Sequence, residues 1–379
     1  MVRYDPEQLY MLAKPIEVEY SELEEYMFLL LLSELLKQPS ENYEEWLVEK
    51  RTQLPRFTSK VQAQINRTTE KVARKLQTTL NAVEKETQRQ VSIDLKNVRS
   101  VLGDKKISES NYTGGNLNGL NNPLNEFNKQ AIIRRVEQVV GQLNGSMLNQ
   151  MQSTYTQQIE SVYRELSTNQ LTVEQAVSKS MKPIAKSAIK GFKDTSGRMW
   201  QSDVYMRTVM RNNIKMYHNS ERLNSFINEG ITLVVVSEHA GSRLSHFDFQ
   251  NKVYSLVYGS DYPHISETGI GEPAGLLGIN CRHFLMAYIE GMEIQEGQYT
   301  AEENEKMYEY LQQQRGYERA IRELKRQAEL AKQTGEDELY STYKRRSREL
   351  GSELNQMIKK ANAEYDDFLR RQRDREMSF

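Results

Sequence analysis

The sequence predicts a mostly α-helical protein built of long amphipathic helices, with one small α+β patch near the middle-to-C-terminal third. Apolar residues recur at intervals of three and four over long stretches, which is the period of one helix face. Only eight prolines and twenty glycines occur in 379 residues, too few for a β-fold rich in turns. A β-branched run at residues 231–236, followed by closely spaced glycines, is the one segment with strand character.

Residues 1–102 form the predicted N-terminal helical region. Apolar positions are nearly continuous from Glu19 to Leu36, which predicts a buried helix that ends near Pro39. Its apolar run is shorter than the roughly 20 residues that cross a membrane, so no membrane partner is expected. A long amphipathic helix follows Pro55, and its predicted stripe contains Val61, Ile65, Val72, Leu76, Leu80, Val83, Val91, Leu95 and Val98.

Residues 103–128 are rich in Gly and Asn and predict a loop. A central helical region follows at 129–230. Thr172 and Gln175 have the spacing of a capping box, which predicts a helix start there and a run toward Pro183. The last helix of this region is expected to stop at Gly230, since glycine readily takes the left-handed conformation past a helix end.

The compact α+β patch is predicted at residues 231–291, where several short segments are separated by glycines. Residues 299–379 are predicted to form charged C-terminal helices, with Gly335 between two of them. The second of these helices has an apolar stripe that consists of Leu350, Leu354, Met357, Ala361, Tyr365 and Phe368.

Charge and cysteine content narrow the classes of function. The formal net charge is −1, so contact with nucleic acid would have to come from local basic runs rather than from an overall positive field. The single cysteine, Cys281, excludes a disulfide framework within the chain and fits synthesis in a reducing cytosol.

Four of the five histidines and the only cysteine fall between residues 239 and 283, and this clustering is the sharpest signal in the sequence. The first block reads Ser-x-His, Gly-x-Arg-x-x-His and Gln-x-Lys-x-Tyr-Ser, and the second reads Asn-Cys-Arg-His. The motif residues are Ser237, His239, Gly241, Arg243, His246, Gln250, Lys252, Tyr254, Asn280, Cys281, Arg282 and His283.

These two blocks, in this order, resemble the minor capsid protein 2 family of tailed bacteriophages, which is related to head-morphogenesis minor head proteins. The charged stretch that begins at Tyr299 resembles the tail of that family as well. The resemblance implies a few-copy virion component made in the host cytoplasm, which acts at the portal vertex or head interior in head assembly, DNA packaging or ejection. It implies the portal or the major capsid protein as partners and no established catalysis. Where many relatives are expected to carry a second cysteine, this chain has Gly275-Leu276-Leu277-Gly278.

Two interpretations of the cluster follow from the residues. His239, His246, Cys281 and His283 are candidate zinc ligands, since zinc prefers imidazole and thiolate. However, the chain has no Cys-x-x-Cys spacing, and buried histidines are commonly hydrogen-bonded. The sequence therefore favours polar side chains that order the loops of the patch without a cofactor, with zinc as the alternative.

An enzyme built on the 231–291 patch is the runner-up function. Cys281 could act as a nucleophile with His239 or His246 as base and Arg243 or Arg282 as an anion clamp. A nuclease would instead use His246 with Asp248. The patch lacks a phosphate-binding glycine loop and paired acids, so the sequence favours a protein that is not an enzyme. A third reading is an assembly or scaffold factor that is absent from the virion.

Two basic runs in the C-terminal helices are candidate contacts for packaged DNA, since Lys and Arg neutralise phosphates without sequence preference. Neighbouring acids favour a solvated helix face instead. The apolar stripes could pair within the chain or between copies of it, so self-association stays open. The candidate DNA-binding residues are Lys344, Arg345, Arg346, Arg348, Arg370, Arg371 and Arg373.

Overall fold

The structure, a computed structural model, describes residues 6–37, 42–103, 122–169, 171–187, 192–193, 197–365 and 368–370. Most of these residues are helical, which confirms the predicted fold class. The helices are α1 Pro6–Leu36, α2 Tyr43–Thr52, α3 Leu54–Leu102, α4 Lys129–Asn169, α5 Val173–Ser187, α6 Ser202–Asn228, α7 Leu244–Phe247, α8 Ala301–Gln333 and α9 Asp337–Tyr365. The strands are β1 Phe192–Lys193, β2 Met199–Trp200, β3 Leu233–Val236, β4 Val253–Ser255 and β5 Leu285–Tyr288.

The chain divides into two compact units, each assembled from three separate segments. Unit 1 comprises residues 1–15, 74–136 and 207–309, and unit 2 comprises residues 16–73, 137–206 and 310–379. The division into five consecutive regions, drawn from the texture of the sequence, stays a prediction. Of the predicted loop at 103–128, residues 104–121 lie outside the described residues.

A three-stranded antiparallel sheet in the order β4-β3-β5 lies at the centre of unit 1. Val234 pairs with Tyr254 on one side and with Ala287 on the other. All four residues of β3 are buried, as its β-branched composition predicts for a central strand. The sheet shares one apolar cluster with helices α3 and α6, to which Val98 and Phe226 contribute.

A buried arginine joins the helices of unit 1 to the sheet. Arg222 in α6 is 1% exposed, forms an ion pair with Asp94 of α3, and donates from Nε to the carbonyl oxygen of Leu285 at 2.9 Å. In the same helix the Asn219 side-chain oxygen accepts from the backbone N–H of Leu285 at 3.2 Å. These bonds fix the start of β5, and therefore the segment 281–283 that precedes it.

Unit 2 is mainly helical and has an aromatic core. The ring of Phe57 in α3 stacks on that of Tyr155 in α4 with centroids 4.4 Å apart, and the Tyr155 hydroxyl donates to the Lys50 carbonyl oxygen at 2.9 Å. Leu23 and Leu31 of α1 are fully buried, as the dense apolar run predicts. A two-residue ladder between β1 and β2 lies outside the predicted patch. The sequence does not predict it, because two strands of two residues are too short to show a periodic pattern.

The predicted helix ends are largely confirmed. Thr172 and Gln175 form the reciprocal capping box at the start of α5, with bonds of 3.0 and 3.3 Å. Gly230 takes a φ of +79° after α6, and Gly335 takes +71° between α8 and α9. Pro183 lies inside α5, which runs on to Ser187 instead of ending before the proline. Met181 and Ala185, both fully buried, flank this proline, so packing holds the helix together across it.

The apolar stripe of α9 packs within the chain, in unit 2. Tyr310 of α8 makes edge contacts with Tyr365 and Phe368, and its hydroxyl donates to Glu364 at 2.7 Å. Leu354 and Ala361 are fully buried. Among the partners that the sequence leaves open for this stripe, α8 of the same chain is the one observed.

In the part of the chain that the structure describes, no helix combines the length and apolar character needed to cross a membrane.

Candidate functional site

The two motif blocks meet at one edge of the sheet in unit 1. The first block follows β3, and the second directly precedes β5, the strand that pairs with β3. Ser237 joins them, because its N–H donates to the Phe284 carbonyl oxygen and its hydroxyl accepts from the Phe284 N–H, both at 3.0 Å. This pairing places His239 beside His283, with ring centroids 4.4 Å apart.

The loop before Cys281 needs glycine for close backbone approach. A Cβ at Gly278 would lie 2.1 Å from the carbonyl oxygen of Glu272, and one at Gly275 would lie 1.9 Å from that of Gly269. Neither contact is compatible with a side chain. The segment Gly275-Leu276-Leu277-Gly278 therefore packs tightly against the backbone of the preceding loop, and this packing positions Cys281 in the cluster.

Three of the four predicted zinc ligands come together. One ligand atom each from His246, Cys281 and His283 lies within 4.8 Å of the others, and all three residues are buried. The Cys281 Sγ lies 3.3 Å from Nδ1 of His283. His239 is not part of this group, although its ring touches that of His283.

Hydrogen bonds to neighbouring oxygen atoms orient the imidazole rings of His246 and His283. Nε2 of His246 lies 2.8 Å from the Ala274 carbonyl oxygen, and Nε2 of His283 lies 3.2 Å from Oε1 of Gln250. The orientation of the Gln250 amide is fixed because the same oxygen accepts from the backbone N–H of His239 at 2.9 Å. Both histidines must therefore donate from Nε2, which leaves Nδ1 as the atom directed to other partners.

The electrostatics of the cluster couple Cys281 to His246. Burial raises the pKa of Cys281, but the hydrogen bond with His246 and the positive charge of Lys215 outweigh it, so the thiol pKa lies below its usual range. The same hydrogen bond raises the pKa of His246. Burial lowers the pKa of His283 well below its usual range, and that of Lys215 to about 8. His283 is therefore a neutral ring at physiological pH.

Three residues that support the cluster are not apparent from the sequence motifs. Lys215 of α6 donates from Nζ to the Gly278 carbonyl oxygen, and the Tyr10 hydroxyl donates to that of Cys281 at 3.1 Å. Asn304 of α8 is fully buried and exchanges hydrogen bonds with the backbone of Ser242 at 2.8 and 3.0 Å. The pattern of residues along α6 does not by itself indicate that the side chain of Lys215 is buried.

The remaining motif residues have structural positions around the cluster. Arg243 donates to the Ile279 carbonyl oxygen at 2.6 Å, and Tyr254 lies opposite Val234 in the ladder. Gly241 and Asn280 adopt positive φ values of 64° and 56°. Lys252 is exposed, while its carbonyl oxygen accepts from the Val236 N–H at 3.1 Å, and Arg282 is half-buried.

A model of the family described as Phage minor capsid protein 2 matches residues 4–359, nearly the whole chain. The chain belongs to this family. The resemblance inferred from the two motif blocks is thereby confirmed, and it extends over the N-terminal helices as well.

Two relatives of this family member are phage proteins. A "Structural protein" of Lactococcus phage LL-H is 32% identical over 193 residues, which is 49% of this chain and 51% of the relative. A "Structural protein" of Lactococcus phage mv4 is 36% identical over 120 residues, 31% of this chain and 94% of the relative. The chain thus spans about half the length of the first relative. No solved structure matches.

The geometry does not favour the enzyme interpretations. Cys281 is 3% exposed and His246 is 1% exposed, so neither the sulfur nor its proposed base is accessible at the surface. Asp248, the nuclease candidate, is exposed while His246 is buried. The match to a family of phage structural proteins likewise suggests a protein that is not an enzyme.

The candidate DNA-binding residues lie mainly on α9 and are partly engaged with acids. Arg345 lies 3.1 Å from Glu349, and Arg346 lies within 3.3 Å of both Glu349 and Glu353. Lys344 donates to the hydroxyl of Tyr340 at 3.1 Å. Arg348 and Arg370 are exposed, whereas Arg371 and Arg373 lie outside the described residues.

Proposed function

We propose that the protein is a minor component of the finished head of a tailed phage, where it acts at the portal vertex or head interior. The observation that carries this proposal is the family match over residues 4–359. The two phage relatives, both described as structural proteins, support it. In this role the chain contributes contacts to head assembly, DNA packaging or ejection and catalyses no reaction.

The exposed surface of α9 suits a protein partner better than DNA. Phosphates would have to displace Glu349 and Glu353 from Arg345 and Arg346, and the acids would remain beside them to repel the backbone. A polar surface with both signs of charge is typical of the rim of a protein interface. We therefore propose the portal or the major capsid protein as the partner, and packaged DNA is the alternative partner that charge reversal on α9 would detect.

A nonsense mutation in the gene, with the protein supplied from a plasmid as a control, tests the proposed role. We expect the mutant phage to form particles that lack infectivity, either because heads misassemble or because DNA is not packaged or ejected. Electron microscopy and the DNA content of the particles separate these three stages. Infectious particles at normal titre, with no copy of the protein, would contradict the proposal.

A further inference from the structure

We propose that His246, Cys281 and His283 bind one zinc ion through Nδ1, Sγ and Nδ1. This inference rests on the geometry of the cluster alone and goes beyond the proposed role in the phage head. Tetrahedral zinc lies about 2.0–2.1 Å from nitrogen and about 2.3 Å from sulfur, so adjacent N and S ligands are about 3.6 Å apart. The Cys281 Sγ and His283 Nδ1 are 3.3 Å apart, and all three ligand atoms lie within 4.8 Å of one another.

The protons in the cluster are too few to satisfy its acceptors. Both histidines donate from Nε2, to Ala274 and to Gln250, so each neutral ring presents a lone pair at Nδ1. Between these two lone pairs lies a single thiol, whose one proton can bond only one of them. The other would face the sulfur lone pairs inside the protein, where an unsatisfied acceptor is costly. A bound cation accepts all three lone pairs at once.

A second proton would not resolve this shortage. Doubly protonated histidines on either side of a thiolate would make two hydrogen bonds, but they would also place a net positive charge in a buried site. No carboxylate belongs to the group, so nothing in it would neutralise that charge.

The hydrogen bonds from Nε2 of the two histidines have the form that metal-binding histidines usually show. A ligating imidazole commonly donates its other N–H to a carbonyl or carboxylate oxygen, which fixes the ring and raises its basicity. Ala274 does this for His246 and Gln250 does it for His283. Two imidazole nitrogens and one thiolate, with no carboxylate in the group, select zinc-class ions over Mg²⁺ and Ca²⁺.

Three protein ligands leave the fourth position to water. His239 lies outside the group that meets within 4.8 Å, and its Nδ1 lies 3.1 Å from the Ala240 carbonyl oxygen. We therefore assign His239 to a packing role against the His283 ring. The sequence favours loops ordered without a cofactor, whereas the meeting of three ligand atoms within 4.8 Å of one another favours the metal.

The first test uses the unaltered full-length protein. Its zinc content is measured as purified, and after chelation it is titrated with Co²⁺, which reports thiolate ligation through a charge-transfer band in the near ultraviolet. We expect one zinc per chain and a band that saturates at one Co²⁺. A folded protein that contains no stoichiometric zinc and shows no thiolate band would overturn the proposal without reference to any variant.

Variants then identify the ligands. Cys281→Ser should abolish the charge-transfer band, and Gln250→Met should weaken metal binding by about 10–100-fold because it removes the oxygen that orients His283. The matched control is His264→Asn, since His264 is half-buried outside the group and its capping role suits Asn. His239→Ala should keep the band. Loss of the band in His239→Ala, or its persistence in Cys281→Ser, would contradict the three-residue assignment, and circular dichroism verifies folding in each case.

Discussion

At the scale of single residues, the clustering of His and Cys in the sequence predicts which side chains meet, but not which atoms form hydrogen bonds. His246, Cys281 and His283 come together as the two motif blocks suggest. The roles of Lys215 and Tyr10 depend on contacts between residues 63 and 271 positions apart, which local spacing does not encode. The hydrogen bonds that fix the imidazole rings likewise become visible only in the folded chain.

His218 is a buried histidine outside the group formed by His246, Cys281 and His283. It is fully buried in α6, and its Nδ1 lies 2.7 Å from the Thr87 hydroxyl. Burial, and then the positive charge of Arg222, lower the pKa of His218 well below its usual range. The unfolded chain therefore binds a proton that the folded chain excludes, so stability is full above about pH 6.5 and falls as the pH drops below that value.

His218→Asn should reduce this dependence on pH. The Asn amide can keep the contact with Thr87 but cannot titrate. We expect the free energy of unfolding of the unaltered protein to fall more steeply between pH 6.5 and 5, by up to about 1.4 kcal/mol per pH unit for this one histidine. Urea unfolding at a series of pH values measures it. Equal slopes in the two proteins would mean that His218 is protonated in the folded state.

Arg322 in α8 is predicted to be essential to the stability of unit 2. It lies 2.7 Å from Asp203, and both side chains are at least nine-tenths buried. Burial, and then the charge of Asp203, raise the pKa of Glu24 beside them well above its usual range. Arg322→Leu removes the cation from these acids, and breaking a buried pair in this way costs about 3–5 kcal/mol.

A second arginine serves as the matched control for this change. Arg346→Leu removes two ion pairs on the exposed face of α9, and we expect no measurable shift in the thermal unfolding midpoint. Similar shifts in the Arg322 and Arg346 variants would mean that burial does not determine the value of these pairs.

At the scale of elements, periodicity predicts the long helices well because one face of each is buried over many turns. Val61, Leu80 and Val98 of the α3 stripe are fully buried as expected. Pro183 misleads, since it lies inside a helix that packing holds together. The stripe on α9 indicated a buried face, but its periodicity could not show that the partner is α8.

Gly278→Ala should destabilise the loop that carries Cys281. The added methyl group would lie 2.1 Å from the Glu272 carbonyl oxygen and within 2.8 Å of two further backbone oxygens, so the backbone must move. Forced overpacking of this kind costs about 1–3 kcal/mol. Gly145→Ala in α4, where nothing lies within 4 Å of the new Cβ, should instead stabilise the helix by about 0.5–1 kcal/mol. Thermal unfolding of both variants checks the opposite signs.

Charge reversal on α9 distinguishes DNA from a protein partner when the copy number of the variant is measured as well. Changing Lys344, Arg345, Arg346 and Arg348 to Glu should leave the DNA content unchanged in particles that incorporate the variant at normal copy number if the partner is protein. The control changes Lys359 and Lys360 of the same helix, which lie outside the basic run and are exposed. A loss of packaged DNA in the first variant alone, measured as DNA per particle, would assign the basic run to DNA.

At the scale of the whole molecule, the sequence predicts the type of each segment better than it predicts which segments pack together. Each compact unit draws on three separate segments, so unit 2 contains the end of α8 and all of α9 together with much of the N-terminal helices. Contacts between segments so distant leave no local pattern. Removal of residues after Thr300 would consequently take Arg322 away from Asp203 and Asn304 away from Ser242, and we expect it to unfold more than a tail.

The number of copies of this protein per head at successive stages of assembly tests most directly whether it is a component of the finished virion. Isotope-labelled peptides allow mass spectrometry to count them in precursor heads and in purified, DNA-filled virions. We expect a low, constant number that persists in the infectious particle. Copies that are present in precursor heads and absent from DNA-filled virions would contradict it, because the protein would then be an assembly factor that leaves the head.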